Sequence, residues 1–261
     1  MKLAFVTANY VGRASNYSLK PFNWAVAEQI TKDRWSLTEW EAILDDILRA
    51  GFKLVEVWTA HAPYDRLTLD QVKQMRKAMD RRGVKAVAYS GWFGGASKDP
   101  YGLEKKFQVA QTLGAPLLVG GCDTESIPII YELCKKYKVK FAVENHPEKS
   151  PQEILDKIRT FSDWIGAAPD TGWWATHGCD PVYAVEKLGK YILHVHLKDI
   201  KKVGEHETCQ FGKGIVDIPG VVKALKKIGY EGVISIEHEP GNYDPTEEVI
   251  LSRKFIEAMI N

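Results

Sequence analysis

The chain has 261 residues, 45% of them hydrophobic and 26% charged, a balance that excludes intrinsic disorder and supplies a large buried core. Its 35 basic and 34 acidic side chains leave a formal net charge of +1, so no overall field recruits nucleic acid or an anionic membrane. Four cysteines, Cys122, Cys134, Cys179 and Cys209, stand far apart with no CxxC pair, which is not the pattern of a disulfide scaffold.

In chain order, the first apolar run ends at Asn9, Gly12 and Arg13. It is too short for a membrane span and reads as a first β-strand. A soluble, cytoplasmic, single-domain chain is the expectation, with no membrane or nucleic-acid partner. Further apolar or β-branched runs fall at 54–58, 84–89, 116–120, 140–144, 164–168, 192–197 and 233–237. Amphipathic stretches with helical spacing lie between them. Ser36-Leu-Thr-Glu39 is a capping-box signature followed by apolar Trp40, Ile43, Leu44, Ile47 and Leu48, with Gly51 as the expected left-handed stop. Helices are also predicted at 69–82, 102–113, 127–137, 151–161, 181–188, 219–228 and 247–260. Several begin with Pro in the first turn. The stretch 10–34 is the one irregular segment, long for a strand-to-helix connection and holding Phe22 and Trp24; in a barrel it would sit on the active-site face, as a lid or substrate contact or as a plain surface excursion.

Eight strands alternating with eight helices predict parallel strands joined by crossovers, and the length matches a closed (β/α)8 TIM barrel over residues 1–261. A doubly wound open sheet is the rival, but Ala8-Asn9-Tyr10 stands where it would carry a Gly-rich phosphate loop.

In such barrels the reacting residues lie at the carboxyl ends of the strands. Strand five ends Glu144-Asn145-His146, strand six leads into Asp170-Thr171-Gly172, strand seven ends His194-Val195-His196-Leu197-Lys198-Asp199, and strand eight ends Glu237-His238-Glu239. Because residues i and i+2 share a face, Glu144 with His146, His194 with His196 and Lys198, and Glu237 with Glu239 converge if those faces point inward. Carboxylates that close repel one another unless a cation lies between them. One divalent metal is therefore expected, and oxygen-rich ligation with a single imidazole suits Mn²⁺ or Mg²⁺, with Co²⁺, Fe²⁺ or Zn²⁺ as alternatives. His194 is expected to hydrogen-bond inside the barrel, and His238 to face away from it.

Val-Glu-Asn-His at 143–146, Asp-Thr-Gly at 170–172, His-Leu-Lys-Asp at 196–199, Gly212-Lys-Gly214 and Ile-Glu-His-Glu at 236–239 together resemble the xylose isomerase-like barrel superfamily, which contains sugar isomerases and epimerases, inosose dehydratases and endonuclease IV. The resemblance implies metal ligation by Glu144, Asp170, His196 and Glu237, with Glu239 competing for the last place, and acid/base roles for Glu144 and Glu237. Trp173 stands where endonuclease IV and the tagatose epimerases carry a further His, so the ligands of a trinuclear nuclease centre are lacking.

The expected reaction is sugar isomerisation or epimerisation. A carboxylate takes a proton alpha to a carbonyl that the metal polarises, and the reaction passes through an enediolate. His146 and Lys198 are expected to contact sugar hydroxyls, with Trp173, His61, Trp58 and Trp174 as candidate pocket walls. A lyase of the inosose dehydratase or 3-keto-glycoside eliminase type shares the same intermediate and is the alternative. A non-catalytic accessory barrel is the third reading. Relatives of this kind often form dimers or tetramers, which carries the expectation of a homo-oligomer.

Overall fold

A computed structural model describes residues 1–260. The eight predicted strands form: β1 Lys2–Val6, β2 Leu54–Trp58, β3 Lys85–Ser90, β4 Leu117–Gly120, β5 Lys140–Glu144, β6 Ile165–Ala168, β7 Val195–Leu197 and β8 Val233–Ile236. Neighbours pair in parallel in the order β6-β5-β4-β3-β2-β1-β8-β7. Parallel bridges Ala167–Ile192 and Asp170–His196 join β6 to β7 and complete the ring. The fold is a TIM barrel.

Ten helices cover the strands: α1 Trp24–Asp33, α2 Leu37–Arg49, α3 Leu69–Arg82, α4 Pro100–Leu113, α5 Ile127–Tyr137, α6 Pro151–Ile158, α7 Thr171–Thr176, α8 Pro181–Leu188, α9 Ile218–Lys227 and α10 Thr246–Ile260. The main apolar core lies between the barrel and these helices; Trp40, Ile43, Leu44 and Ile47 of α2 are all buried in it. At the start of α2, Ser36 Oγ accepts from Glu39 N at 3.1 Å, but only half of the predicted capping box forms. The Glu39 carboxylate instead takes the Arg13 Nε–H at 2.6 Å, a charged partner that outcompetes a backbone amide. The complete box sits at Thr68 and Gln71, ahead of α3.

Two helices lie outside the predicted set. The stretch read as irregular contains α1, whose apolar stripe is faint: only Ala27 and Thr31 are buried, while Trp24 and Val26 are exposed. The other is α7, capped by Asp170 Oδ1 accepting from Trp173 N at 2.9 Å. No helix among the described residues is long and apolar enough to cross a membrane.

The barrel lumen is packed with small residues such as Ala88, Ala142 and Ala168. Glu56 of β2 also lies there, reaching His194, just ahead of β7, and Ser235 of β8, neither strand its neighbour.

Candidate active site

The carboxyl-end motifs first hold the barrel rim together where the backbone ladders stop. Asn145 Nδ2 donates to Asp170 O at 3.1 Å while its Oδ1 accepts from Asp170 N at 2.8 Å, tying β5 to the segment after β6. Thr171 Oγ1 donates to Lys198 O at 2.7 Å and accepts from Lys198 N at 2.8 Å. Asn9 clasps Ile236 O and His238 N in the same manner, at 3.1 and 2.8 Å. Asp199 accepts the amides of Gly212, Gly214 and Val216 at 3.0, 3.0 and 3.1 Å, which explains the Gly-Lys-Gly motif: a Cβ at Gly214 would lie 2.2 Å from the Asp199 carboxylate. Likewise a Cβ at Gly172 would lie 2.7 Å from the Lys198 stem, so the glycine of Asp-Thr-Gly lets that lysine reach the barrel mouth.

On this rim Glu144, Asp170, His196 and Glu237 are all buried, and one ligand atom of each lies within 4.8 Å of the others. The predicted quartet does converge. Its electrostatics are divided. Burial raises the Glu144 pKa, but His196 and His146 outweigh it and hold the carboxyl below its usual range. Glu237 goes the other way: burial and the adjacent Glu239 push it well above that range despite Lys198 and His196. Two carboxyls whose environments drive their pKa values apart are suited to opposite acid and base roles.

Beneath them His196 is gripped from both sides. Nδ1 donates to Glu144 Oε1 at 2.6 Å and lies 3.3 Å from Glu237 Oε2; Nε2 donates to Glu56 Oε1 at 2.8 Å. The other Glu56 oxygen takes His194 Nε2 at 2.8 Å and Ser235 Oγ at 2.6 Å. Burial opposes the charge on Glu56, yet His196 and His194 keep its pKa well below the ordinary value. Glu56 is thus a buried anchor that turns Nδ1 of His196 toward the quartet, the arrangement by which a carboxylate fixes the tautomer of a metal-binding imidazole. Glu56→Gln is expected to weaken Mn²⁺ binding about 10- to 100-fold in a calorimetric titration while the fold persists. An unchanged affinity would remove this role.

Lys198 Nζ stands 2.9 Å from Asp170 Oδ2, 3.1 Å from Glu237 Oε2 and 2.9 Å from Glu239 Oε2. Only the Glu239 contact is also a hydrogen bond; Asp170 Oδ2 and Glu237 Oε2 stay buried without a hydrogen-bond partner among the described residues. Two buried carboxylate oxygens met only by ion pairs, with a third carboxylate and an imidazole nitrogen close by, fit a hard divalent cation.

Above the quartet is a pocket of about 350 Å³ lined by Trp24, Trp58, Trp92, His146, Trp173 and His206, besides the acidic groups and Lys198. His146 meets Trp173 edge-on at 5.2 Å. Trp174 is wholly buried in the core instead of lining the pocket. His61 is not brought to the pocket: it packs edge-on against Trp58 at 5.4 Å, lies 3.1 Å from Thr7 Oγ1 through Nδ1, and lines a separate cavity with Arg13 and Trp35. Residue spacing placed it near strand two's end but carried no information on which side of Trp58 it would fall.

Burial, reinforced by Arg13, holds the His61 pKa down to about 3 from 6.5. The unfolded chain therefore takes up a proton near pH 6.5 that the folded chain refuses, and acidification favours unfolding. The effect is about 2 kcal/mol at pH 5. His61→Asn is expected to flatten the loss of stability between pH 6.5 and 5 by that amount in urea melts; an unaltered slope would show the shift to be absent.

Sequence reasoning missed Glu56, Trp92 and His206; Trp24, in the segment 10–34 read as lying on the active-site face, does reach the pocket. His206 stacks on Trp173 with ring centroids 3.8 Å apart, its Nδ1 2.9 Å from Thr176 Oγ1 and its Nε2 3.4 Å from Lys198 Nζ. Burial and Lys198 push its pKa down to about 3, so it is neutral, with Nε2 facing the ammonium as acceptor. It stands on the loop of the two-stranded ribbon Asp199–Ile200 and Thr208–Cys209, outside any strand-end pattern. Its only signal was a lone His amid charges.

A model of the xylose isomerase-like TIM barrel family matches residues 44–259. The chain belongs to that family. An inosose dehydratase from Clostridium beijerinckii is 25% identical over 83% of this chain and 88% of its own length. A putative L-ribulose-5-phosphate 3-epimerase, SgbU, from Escherichia coli is 38% identical over 37% of this chain and 36% of its own. The chain spans half or less of the length of several curated relatives it matches. A crystal structure of IolI protein with a bound zinc atom superposes with a TM-score of 0.71 at 20% identity, covering 100% of this chain and 98% of that one, which is a likeness of fold.

Proposed function

We propose that this family member is a divalent-metal-dependent isomerase or epimerase acting on a ketose or keto-sugar. The observation that carries the reading is the convergence of Glu144, Asp170, His196 and Glu237 to within 4.8 Å, with two of the buried carboxylate oxygens met by ion pairs but by no hydrogen bond. When bound, a divalent ion in that quartet acts as a Lewis acid toward a sugar oxygen and makes the neighbouring C–H more acidic. Mn²⁺ is the ion proposed, on the oxygen-rich donor set; the zinc described for IolI protein keeps Zn²⁺ among the ions to test.

The chain's own groups then divide the work. Glu144, whose carboxyl His196 and His146 hold below its usual range, accepts the proton from the carbon alpha to the carbonyl; Glu237, whose proton affinity burial and Glu239 drive the other way, is the group placed to return one. Their strands β5 and β8 are separated by β6 and β7 around the ring, so the two carboxyls approach a bound sugar from different sides, which suits epimerisation. His146 and Lys198 lie at the pocket wall to orient hydroxyls, and the tryptophans exclude water. The pocket wall carries Glu28, Glu144, Glu237 and Glu239 but no Arg, and its one Lys is matched by carboxylates, which favours an uncharged sugar over a phosphorylated one.

A second reading is elimination of a β-oxygen after the same proton abstraction. The 2.9 Å Lys198–Glu239 pair favours it, since it sets a proton-bearing group beside Glu237, as does the long alignment with inosose dehydratases.

The test is incubation of the Mn²⁺-loaded protein with a ketose and keto-sugar panel in D₂O, read by NMR. Solvent deuterium at the carbon alpha to the carbonyl is expected, with an inverted product for an epimerase or an enone for a lyase. Absence of deuterium from every candidate overturns the reading.

A further inference from the structure

A cavity of about 730 Å³ lies outside the reaction pocket, between the segment that follows β1 and helix α2, with His61 in its wall. It is within the size range of ligand pockets. Trp58 lines the reaction pocket and His61 lines this cavity, so the edge-on contact between their rings at 5.4 Å is the partition between the two spaces.

Three buried polar groups at this wall lack partners. His61 is only 6% exposed. Thr7 Oγ1 already accepts from Trp58 N at 2.9 Å, so its own proton goes to His61 Nδ1 at 3.1 Å. The imidazole is neutral, its pKa held down to about 3 by burial and Arg13, and Nε2 therefore carries the ring proton. That N–H has no acceptor among the described residues. Trp35 Nε1 and the Tyr17 hydroxyl are likewise buried without a hydrogen-bond partner, and both residues line the same cavity. The Tyr17 ring is pressed against the chain at Gly12, where a Cβ would lie 2.4 Å from it, and Tyr17 itself holds a φ of 56°, which a bulky residue rarely adopts. Each of the three groups can donate, and leaving buried donors unmet is costly.

The charges at the wall narrow the acceptor. Arg13 meets Glu39 at 2.6 Å and also Asp46, which Arg49 contacts as well, so these four offset one another. Arg34 has no carboxylate partner among the described residues; its guanidinium donates to Ala14 O. Asp244 is exposed, and its Oδ1 is occupied by Thr246 N and Oγ1 at 2.9 and 2.6 Å. One uncommitted guanidinium beside three neutral donors suits a single negative charge carried on two oxygens. A phosphate dianion would meet the same donors with one free cation and three acidic side chains nearby. The rings of Trp35 and Tyr17 offer the remainder of the ligand an apolar bed.

We propose that this cavity is a binding site, separate from the barrel mouth, for an organic monocarboxylate with an apolar or ring-bearing body, whose carboxylate is received by His61 Nε2–H, Trp35 Nε1–H, the Tyr17 hydroxyl and Arg34. The site stands independently of the reaction assigned to the quartet, since none of its donors touches Glu144, Asp170, His196 or Glu237.

The experiment is calorimetric titration of the protein, metal-free and Mn²⁺-loaded, with 3-phenylpropionate, 3-phenylpropionamide and inorganic phosphate. 3-Phenylpropionate is expected to bind at one site in both forms, at least about tenfold more tightly than the amide or phosphate. Arg34→Gln weakens it by about tenfold, and so does the pair Tyr17→Phe and Trp35→Phe, which removes two donors and keeps both rings. Trp92→Leu, in the wall of the reaction pocket, leaves it unchanged. No binding at millimolar concentration, equal affinity for acid and amide, or tighter binding of phosphate overturns the site. Affinity lost in Trp92→Leu but kept in Arg34→Gln places the ligand in the reaction pocket and overturns it too. Should the double variant fail to fold, as read by circular dichroism, Arg34→Gln decides alone, because that side chain is exposed.

Discussion

Glu144→Gln is expected to lower kcat about a thousandfold, within the range for loss of a general base, while the thermal unfolding midpoint moves by only a few degrees. The substitution preserves shape and retains an amide oxygen able to ligate a metal, but that oxygen cannot take up the proton of a C–H bond. The carboxylate matters because His196 and His146 hold it ionised inside the barrel mouth in spite of burial. The measurement is exchange of the substrate's alpha proton with D₂O at saturating Mn²⁺, so that weakened metal binding does not masquerade as lost basicity. Exchange within tenfold of the unsubstituted protein would transfer the base role elsewhere, with Glu237 or Glu239 the nearest candidates.

Lys198→Met is expected to destabilise the metal-free protein by about 3–5 kcal/mol, the cost of stranding buried charges by removing their partner. Lys198 is only 2% exposed and stands within 3.1 Å of Asp170, Glu237 and Glu239, so its loss leaves these carboxyls facing one another in a poorly screened space. Met keeps the aliphatic stem that runs past Gly172 and removes only the charge. Added Mn²⁺ is expected to raise the unfolding midpoint of the variant by more than that of the parent, because a cation in the quartet supplies what the lysine no longer does. Equal stability of the two metal-free proteins, by urea titration followed with tryptophan fluorescence, would sink this account of Lys198.

The barrel could be read along the chain because its strands are near-continuous apolar runs and its helices carry a strong apolar stripe, as in α2. Both are local patterns that survive without knowledge of neighbours. Where a stripe is faint, as in α1 with two buried residues, or where a helix is a single capped turn such as α7, periodicity carries no signal. The metal quartet was legible for a related reason: parallel closure forces the strand ends to one rim, and alternation then says which side chains share a face.

Glu56 was not legible, although it is the best-engaged carboxylate in the lumen. Its partners lie 138, 140 and 179 residues away, and a single Glu in an apolar strand looks like a solvated exception until the ring closes around it. His206 reaches the pocket from a ribbon loop whose course depends on packing, and Trp24 from a segment that was read as facing the site but not as a helix. His61 shows the converse, with a suitable residue type at a suitable strand end carried past Trp58 into another cavity.

By itself, then, the order of residues determined the barrel, its family and the four groups of the candidate metal centre, since backbone periodicity and sheet closure are enough to assemble them. Tertiary structure alone decided the pairing of Lys198 with three carboxyls, the clamp on His196, the opposed proton affinities of Glu144 and Glu237, and the separate cavity at His61. Each of these depends on distances of a few ångströms between segments remote in the chain, and desolvation and Coulomb forces act through those distances, not through sequence spacing.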